Sequence, residues 1–353
     1  ERSQDHEEVL MADQELNENH LTKGDDSPFL PGTYIQYAYD STTLGLLKTC
    51  PRLYQYTMID GYVAKGESIH LRFGIEYHQA LQDYDIARAE GIDHEDAVHS
   101  AISELVRRTH DWSVDETVKP GKYKNRQTLV SLVVDYLDHY VDDPAETYIK
   151  SDGKPAVELS FRFELDWGPK YIEMPIGDLG LEIPDKWKKP DQPYLLCGHM
   201  DRVVSFNDQL FVMDHKTTTT TPSQYYFNQY EPHNQMTLYT IAGQVVLNAP
   251  IKGVIVRAAQ ILLDKEHRFV SSFTLRTADQ LDEWMEDLRL HLERAEEYAV
   301  AGYWPMNDTA CDKFGGCKFR GVCSKSPSVR EIYLNSDFEQ LDLESRWNPL
   351  RSR

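Results

Sequence analysis

The chain has 353 residues, 41% hydrophobic and 27% charged, with a formal net charge of −21. Such a length supports a sizeable core in one large domain or two ordinary ones, and no run approaches the ~18 consecutive apolar residues of a membrane-spanning helix. The acidity argues against a nucleic-acid partner, whose phosphates are held by Lys and Arg. Nine acids and two bases fall in the first 27 residues, however, and the remainder carries 49 acids against 35 bases, so a local basic groove or a bound cation would have to offset the global charge.

Residues 1–27 are polar and acidic, the composition of a flexible tail. They show no basic-then-apolar leader, which points to the cytoplasm. From an N-cap at Asp40 or Ser41 a helix can run through TTLGLLKTCPRLYQY, interrupted at Pro51. The next pattern, LRFGIEYHQALQDYDIARAE, places Phe73, Tyr77, Leu81 and Tyr84 on one helical stripe, and further helices are expected near 94–109 and 126–141. The period then falls to two in AVELSFRFEL, a strand. A proline-rich stretch over 167–193 separates it from a hairpin at 198–218; a helix near 233–248, strands in GVIVRAAQILL and HRFVSSFTL, and an amphipathic helix near 277–299 follow. Helices followed by a mostly antiparallel sheet with a helix between its strands make an α/β fold. One domain over 28–326 is the economical count: a helical part at 40–142, a sheet core at 155–300 and a Cys-rich loop at 303–326, with 327–353 as a C-terminal tail.

The hairpin, GHMDRVVSFNDQLFVMDHKTT, carries Asp201, Asp214 and Lys216 among apolar residues. A two-residue turn at Asn207 and Asp208 sets Phe206 against Gln209, Val203 against Val212 and Asp201 against Asp214. Carboxylates directly opposed across a ladder repel, so the pair calls for a shared proton or a cation. Lys216, two residues past Asp214, shares its face of the strand. Hard oxygen ligands at this spacing suit Mg²⁺ or Mn²⁺, which also bind substrate phosphates, and the lysine can hold or deprotonate an attacking water. The plainer alternative is a solvated Asp–Lys ion pair at a hairpin end.

Gly-x-x-Asp followed on the next strand by Asp-x-Lys resembles the PD-(D/E)xK nuclease superfamily, in particular its RecB-like exonuclease branch. An upstream helical histidine, His78, and a downstream Gln-x-x-x-Tyr helix, Gln235 and Tyr239, match that branch in order. The resemblance implies a restriction-endonuclease-like core with a central mixed sheet flanked by helices. It further implies a metal held by His78, Asp201, Asp214 and the backbone carbonyl of His215, catalysis by Asp201, Asp214 and Lys216 with Glu158 as an additional acid, and DNA contact by Gln235 and Tyr239. The activity implied is phosphodiester hydrolysis on single strands or duplex ends of DNA in recombination, repair or phage DNA metabolism, with a recombination or replication protein as partner and the host cytoplasm as its place if phage-encoded.

Cys311, Cys317 and Cys323 recur every six residues in a loop with three glycines, and Cys50 lies beside Pro51 far upstream. Four cysteines hold either zinc or an iron–sulfur cluster, and the short C-x₂₋₄-C knuckle usual for zinc is missing. One early cysteine and three late ones resemble the iron–sulfur staple of AddB-type and CRISPR-associated exonucleases, which implies a 4Fe–4S cluster joining the N- and C-terminal segments. The trio is C-x₅-C-x₅-C here, where those relatives more often have C-x₂-C-x₅-C. Cys197, in an apolar strand, reads as a buried structural thiol. Basic residues gather around Tyr123 (Lys119, Lys122, Lys124, Arg126) and around Trp187 (Lys186, Lys188, Lys189), a composition suited to single strands and equally to solvated loops.

Overall fold

The computed structural model describes residues 27–66, 68–170, 192–263, 265–312 and 316–351. The acidic segment, apart from Ser27, most of the proline-rich stretch and the basic cluster around Trp187 lie outside the described residues.

Strand β1 (Ala38–Tyr39) leads into α1 (Ser41–Thr49) through Asp40, whose carboxylate accepts the Thr43 N–H while its own N–H donates to the Thr43 hydroxyl. That reciprocal cap satisfies two donors at the helix start. Pro51 begins α2 (Pro51–Tyr54) at the position where a missing N–H costs nothing, and one π-helical turn, Gln55–Ile59, follows. After β2 (Tyr62–Ala64) come α3 (Ile69–Ala89), α4 (His94–Arg108) and α5 (Arg126–His139), each N-capped by a polar side chain: Ser68, Asp93 and Asn125. The expected stripe on α3, Phe73, Tyr77, Leu81 and Tyr84, is buried with Leu105, Leu129, Leu132 and Tyr136 of the neighbouring helices.

The sheet is built from β1, β3 (Glu146–Thr147), β4 (Val157–Glu164), β5 (Leu195–Phe206), β6 (Gln209–Thr218), β7 (Ile251–Gln260) and β8 (Arg268–Leu275). It is mixed and mostly antiparallel, as expected: β1 runs parallel to β5 and β6 parallel to β7, and the other pairs are antiparallel. The β6–β7 pairing is parallel because α6 (Gln224–Phe227) and α7 (Asn234–Leu247) carry the chain back across the sheet. Gly243 lets α7 lie close to it, since a Cβ there would stand 3.0 Å from Ile251 and 3.2 Å from Val212.

A long helix, α8 (Ala278–Ala301), covers the core beside α7 and is followed by α9 (Arg320–Cys323), α10 (Arg330–Asp337) and β9 (Phe338–Gln340). The segment read as a tail is folded. β9 pairs with β2, Arg346 donates to the carbonyls of Ile59 and Asp60, and the Trp347 indole donates to Asp40 at 2.7 Å. Its low hydrophobicity hid this, because the docking is made by backbone pairing and arginine hydrogen bonds. Among the described residues no helix is long and apolar enough to cross a membrane.

Candidate active site

The β5–β6 hairpin turns at Asn207 and Asp208, both with left-handed φ (50° and 59°), and its register runs from Phe206↔Gln209 to Arg202↔Met213 as expected. The ladder stops there although both strands continue, β5 back to Leu195 and β6 on to Thr218. Asp201 and Asp214 are the first residues beyond that last pair, at the fork where the strands part. The expected direct opposition of the two acids is therefore corrected: the ladder ends one residue short, because the Asp201 carboxylate takes the His215 N–H (3.0 Å) in place of a ladder bond. On the other side of β5, β4 pairs Val157 with Arg202 and Leu159 with Met200, which brackets Glu158 opposite Asp201. Glu158 has φ 47°, a strained conformation for a residue with a side chain, and breaks the ladder at that level. Three acids from three adjacent strands thus share one level of the sheet.

Helix α3 brings His78 Nδ1 to 3.1 Å from Asp201 Oδ2. Burial favours the neutral acid, but His78 and the donors of His215 outweigh it and hold the Asp201 carboxyl well below its ordinary range. Burial likewise opposes protonation of His78, and Asp201 overcomes it, so the imidazole is pushed up. Asp214, 1% exposed, holds Lys216 Nζ at 2.9 Å (Oδ1) and 2.8 Å (Oδ2), of which only the Oδ1 contact has hydrogen-bond geometry. Its Oδ2 is thus buried without a hydrogen-bond donor among the described residues. Burial, together with the charge of Asp201, pushes the Asp214 carboxyl up against the pull of Lys216. Lys216 is half-buried, and that burial would lower its pKa, yet Asp214 and Asp201 raise it. Helix α7 supplies the next layer: Lys216 donates to Gln235 Oε1 (3.1 Å), and Gln235 Nε2 donates to the Tyr239 hydroxyl (3.0 Å).

The structure therefore brings together His78, Asp201, Asp214, Lys216, Gln235 and Tyr239, places Glu158 at the same sheet level, and sets His215 between Asp201 and the α5 side. His215 is more than a backbone position: burial holds its imidazole at about 4, and its Nε2 lies 2.9 Å from the Tyr136 hydroxyl. Behind Tyr136 stands Arg257 of β7, bonded to Asp143 at 2.7 Å and 3.2 Å. None of these three was singled out from the sequence. Arg257 had a signal, a lone charge in the apolar run GVIVRAAQILL, whereas Tyr136 resembles any other core tyrosine. Tyr225 on α6 is 88% exposed, and its neighbour Tyr226 lies within the field of Lys216.

The donor set of the fork, two carboxylates and an imidazole with one carboxylate oxygen lacking a donor, fits a hard divalent cation. Among the described residues, no group of three or more His, Cys, Asp and Glu side chains is gathered as a finished metal cage. His78 and Lys216 occupy the carboxylates instead.

In the basic cluster around Tyr123, Lys119 and Lys122 are exposed and Lys124 is buried. Lys124 is 7% exposed and donates to Thr217 Oγ1 on β6 at 3.2 Å, and Lys119 lies over the Tyr123 ring. Cys197 is buried with Ala38, Leu195 and Leu350, and burial pushes its thiol up to about 11. Cys50 joins α1 to α2, and the Asn307 N–H points at its sulfur from 3.3 Å. Asn307 also donates to the Thr49 carbonyl (2.9 Å), and Arg52 to that of Trp304 (3.1 Å), so the segment leading to the late cysteines is stitched to this junction. Burial, then the nearby Cys317 and Cys50, push the Cys311 thiol up. The same groups act on Cys323, opposed by Arg52 and Arg330.

No curated protein matches the chain. Among solved structures, a candidate exonuclease from Eubacterium rectale superposes with a TM-score of 0.43 at 10% identity, covering 84% of this chain and 92% of that one, a likeness too low to carry an argument. The model of the PD-(D/E)XK nuclease superfamily matches residues 41–324, from the first residue of α1 to just past Cys323. With its mixed sheet flanked by helices and a match over most of its length, the chain belongs to the PD-(D/E)XK nuclease superfamily.

Proposed function

We propose that this nuclease is a divalent-metal-dependent deoxyribonuclease, an exonuclease on single strands or duplex ends, with its centre at the β5–β6 fork. The observation that carries the reading is the placement of Asp201 and Asp214 at the first position beyond the ladder, with Lys216 on Asp214. Asp201, Asp214, His78 and the His215 carbonyl would hold Mg²⁺ or Mn²⁺, which supplies polarisation of the scissile phosphate and a more acidic water. Lys216 keeps its charge at neutral pH, so it orients the water and stabilises the developing negative charge. Gln235 Nε2 gives one hydrogen to the Tyr239 hydroxyl and has a second to offer a phosphate oxygen. Glu158 adds a carboxylate at the same level. Tyr225, exposed on α6, offers a ring to an unpaired base.

Cys50, Cys311, Cys317 and Cys323 are proposed to bind an iron–sulfur cluster, 4Fe–4S, that closes the chain over residues 28–326 into one nuclease unit. Support comes from the hydrogen bonds that tie the segment before the late cysteines to the Cys50 junction; among the described residues the thiols are not themselves gathered as a metal site. Zinc is the alternative, told apart by a colourless protein against a brown one. DNA recombination, repair or phage DNA metabolism, with a recombination or replication protein as partner, is the setting that the family resemblance suggests.

One observation favours a second reading, a non-catalytic DNA- or protein-binding member: His78 and Lys216 already balance both acids. The deciding experiment is digestion of end-labelled single- and double-stranded DNA with Mg²⁺ or Mn²⁺, comparing wild type with Lys216→Ala. Cleavage by the wild type alone supports the enzyme. Equal cleavage by both, or none by either with any metal, rejects it.

A further inference from the structure

The strand exchange that makes β6 and β7 parallel sets His215 against Arg257 in the ladder, and the side chains of both meet Tyr136 of α5. Arg257 Nη1 donates to the Tyr136 oxygen at 3.1 Å, and the same oxygen is 2.9 Å from His215 Nε2. A guanidinium has only donors, while a tyrosine has one hydrogen to give. Arg257 takes one lone pair, and among the described residues His215 Nε2 is the one acceptor within hydrogen-bond distance of the Tyr136 hydroxyl, so the tyrosine hydrogen is assigned to Nε2, which then carries a lone pair. The ring hydrogen of His215 is then on Nδ1, the nitrogen that lies 3.6 Å from Asp201 Oδ2.

We infer that Arg257, acting through Tyr136, fixes the tautomer of His215 and so aims the Asp201 carboxylate into the fork; Arg257, Tyr136 and His215 are positioning residues for the nuclease site. The hydrogen-bond chain rests on geometry alone, and its link to metal binding rests on the reading of Asp201 as a ligand. Oδ2 of Asp201 receives the His215 N–H at 3.0 Å, with Nδ1–H close by. His78 Nδ1 meets the same oxygen at 3.1 Å, so all three contacts fall on Oδ2 and Oδ1 would be the oxygen left for a cation. Arg257 is well placed to impose this, being 4% exposed, clamped by both oxygens of Asp143 and laid over the Tyr140 ring at 3.8 Å. A guanidinium so confined keeps one orientation, and the tautomer it dictates is kept with it.

The test begins with the unaltered protein. Long-range ¹H–¹⁵N correlation of the histidine rings reads which nitrogen of His215 is protonated, with His215→Asn used for assignment. Hydrogen on Nδ1 is expected, and hydrogen on Nε2, or on both nitrogens, overturns the inference whatever the enzyme does. Tyr136→Phe keeps the ring and removes the hydroxyl; it is expected to shift His215 toward the Nε2–H tautomer and to weaken Mn²⁺ binding, titrated calorimetrically, by about 10- to 100-fold, the range for partners behind a metal ligand. Thermal unfolding monitors the fold of the variant. An unchanged tautomer together with unchanged Mn²⁺ affinity overturns the inference. A wild type that binds no Mn²⁺ yet shows Nδ1–H leaves the chain of hydrogen bonds standing and removes the nuclease reading of Asp201 instead, so the two failures are distinct.

Discussion

The β5–β6 fork and the cysteine junction both bring together residues distant in sequence, but they handle charge in opposite ways. At the fork every carboxylate has a protein partner: His78 and His215 for Asp201, Lys216 for Asp214. At the junction the thiols of Cys311 and Cys323 feel burial and the other cysteines, and arginines offset this only for Cys323 to a large degree. On the proposed reading a cation at the fork would take the place of those partners. On the proposed reading a cluster at the junction would serve as a structural staple, a role that the fork does not have.

The largest effect expected from breaking this contrast is at the fork. Asp201→Asn keeps the size of the side chain while removing the charge that His78 and a cation would share, and should lower metal-dependent cleavage by about 10³-fold in single-turnover assays, with DNA binding retained. The junction should answer in stability. Cys50→Ser is expected to abolish any cluster absorbance and, because the staple closes a very long loop, to cost about 3–5 kcal/mol in chemical denaturation by analogy with a cross-link. Cys197→Ser, outside the junction, should leave the absorbance intact.

A smaller loss tests burial without chemistry. Asp85 pairs with Arg202 at 2.9 Å, each side chain 10% exposed. Asp85→Ala strands the guanidinium and should destabilise by about 3 kcal/mol in urea unfolding. The smallest effect concerns pH. Burial, only partly offset by Arg346, pushes the Asp60 carboxyl up to about 6. A raised acid binds its proton more tightly when folded, so its stabilising share is present below pH ~4 and is lost as pH rises through 6, by about 3 kcal/mol in all. Subtracting the stability of Asp60→Asn from that of wild type across this window isolates it; a difference that grows with pH contradicts the sign.

What the sequence made legible follows from local physics. Asn207 and Asp208 fixed the hairpin register because a two-residue turn admits one, and Asp40, Pro51 and the α3 stripe marked helix starts and faces through caps and periodicity. What it hid is tertiary. The end of the ladder at Arg202↔Met213 depends on a side chain, Asp201, displacing a backbone bond, and no pattern in either strand announces that. The parallel β6–β7 pairing was ambiguous in a run as apolar as GVIVRAAQILL, which fits either direction. Tyr136, Asp143 and Arg257 meet only after α5 is laid on the sheet. The C-terminal segment looked like a tail since arginine and tryptophan hydrogen bonds, unlike an apolar face, have no period.

The most direct test of the fork as a metal centre is a calorimetric titration of Mn²⁺ into wild type and into Asp214→Asn. Asp214 is the buried acid whose Oδ2 lacks a hydrogen-bond donor among the described residues, so its charge should be indispensable to the cation. Saturable binding at the fork in wild type, lost in Asp214→Asn, is the predicted result. Binding of equal strength in both proteins, or none in either, would contradict it.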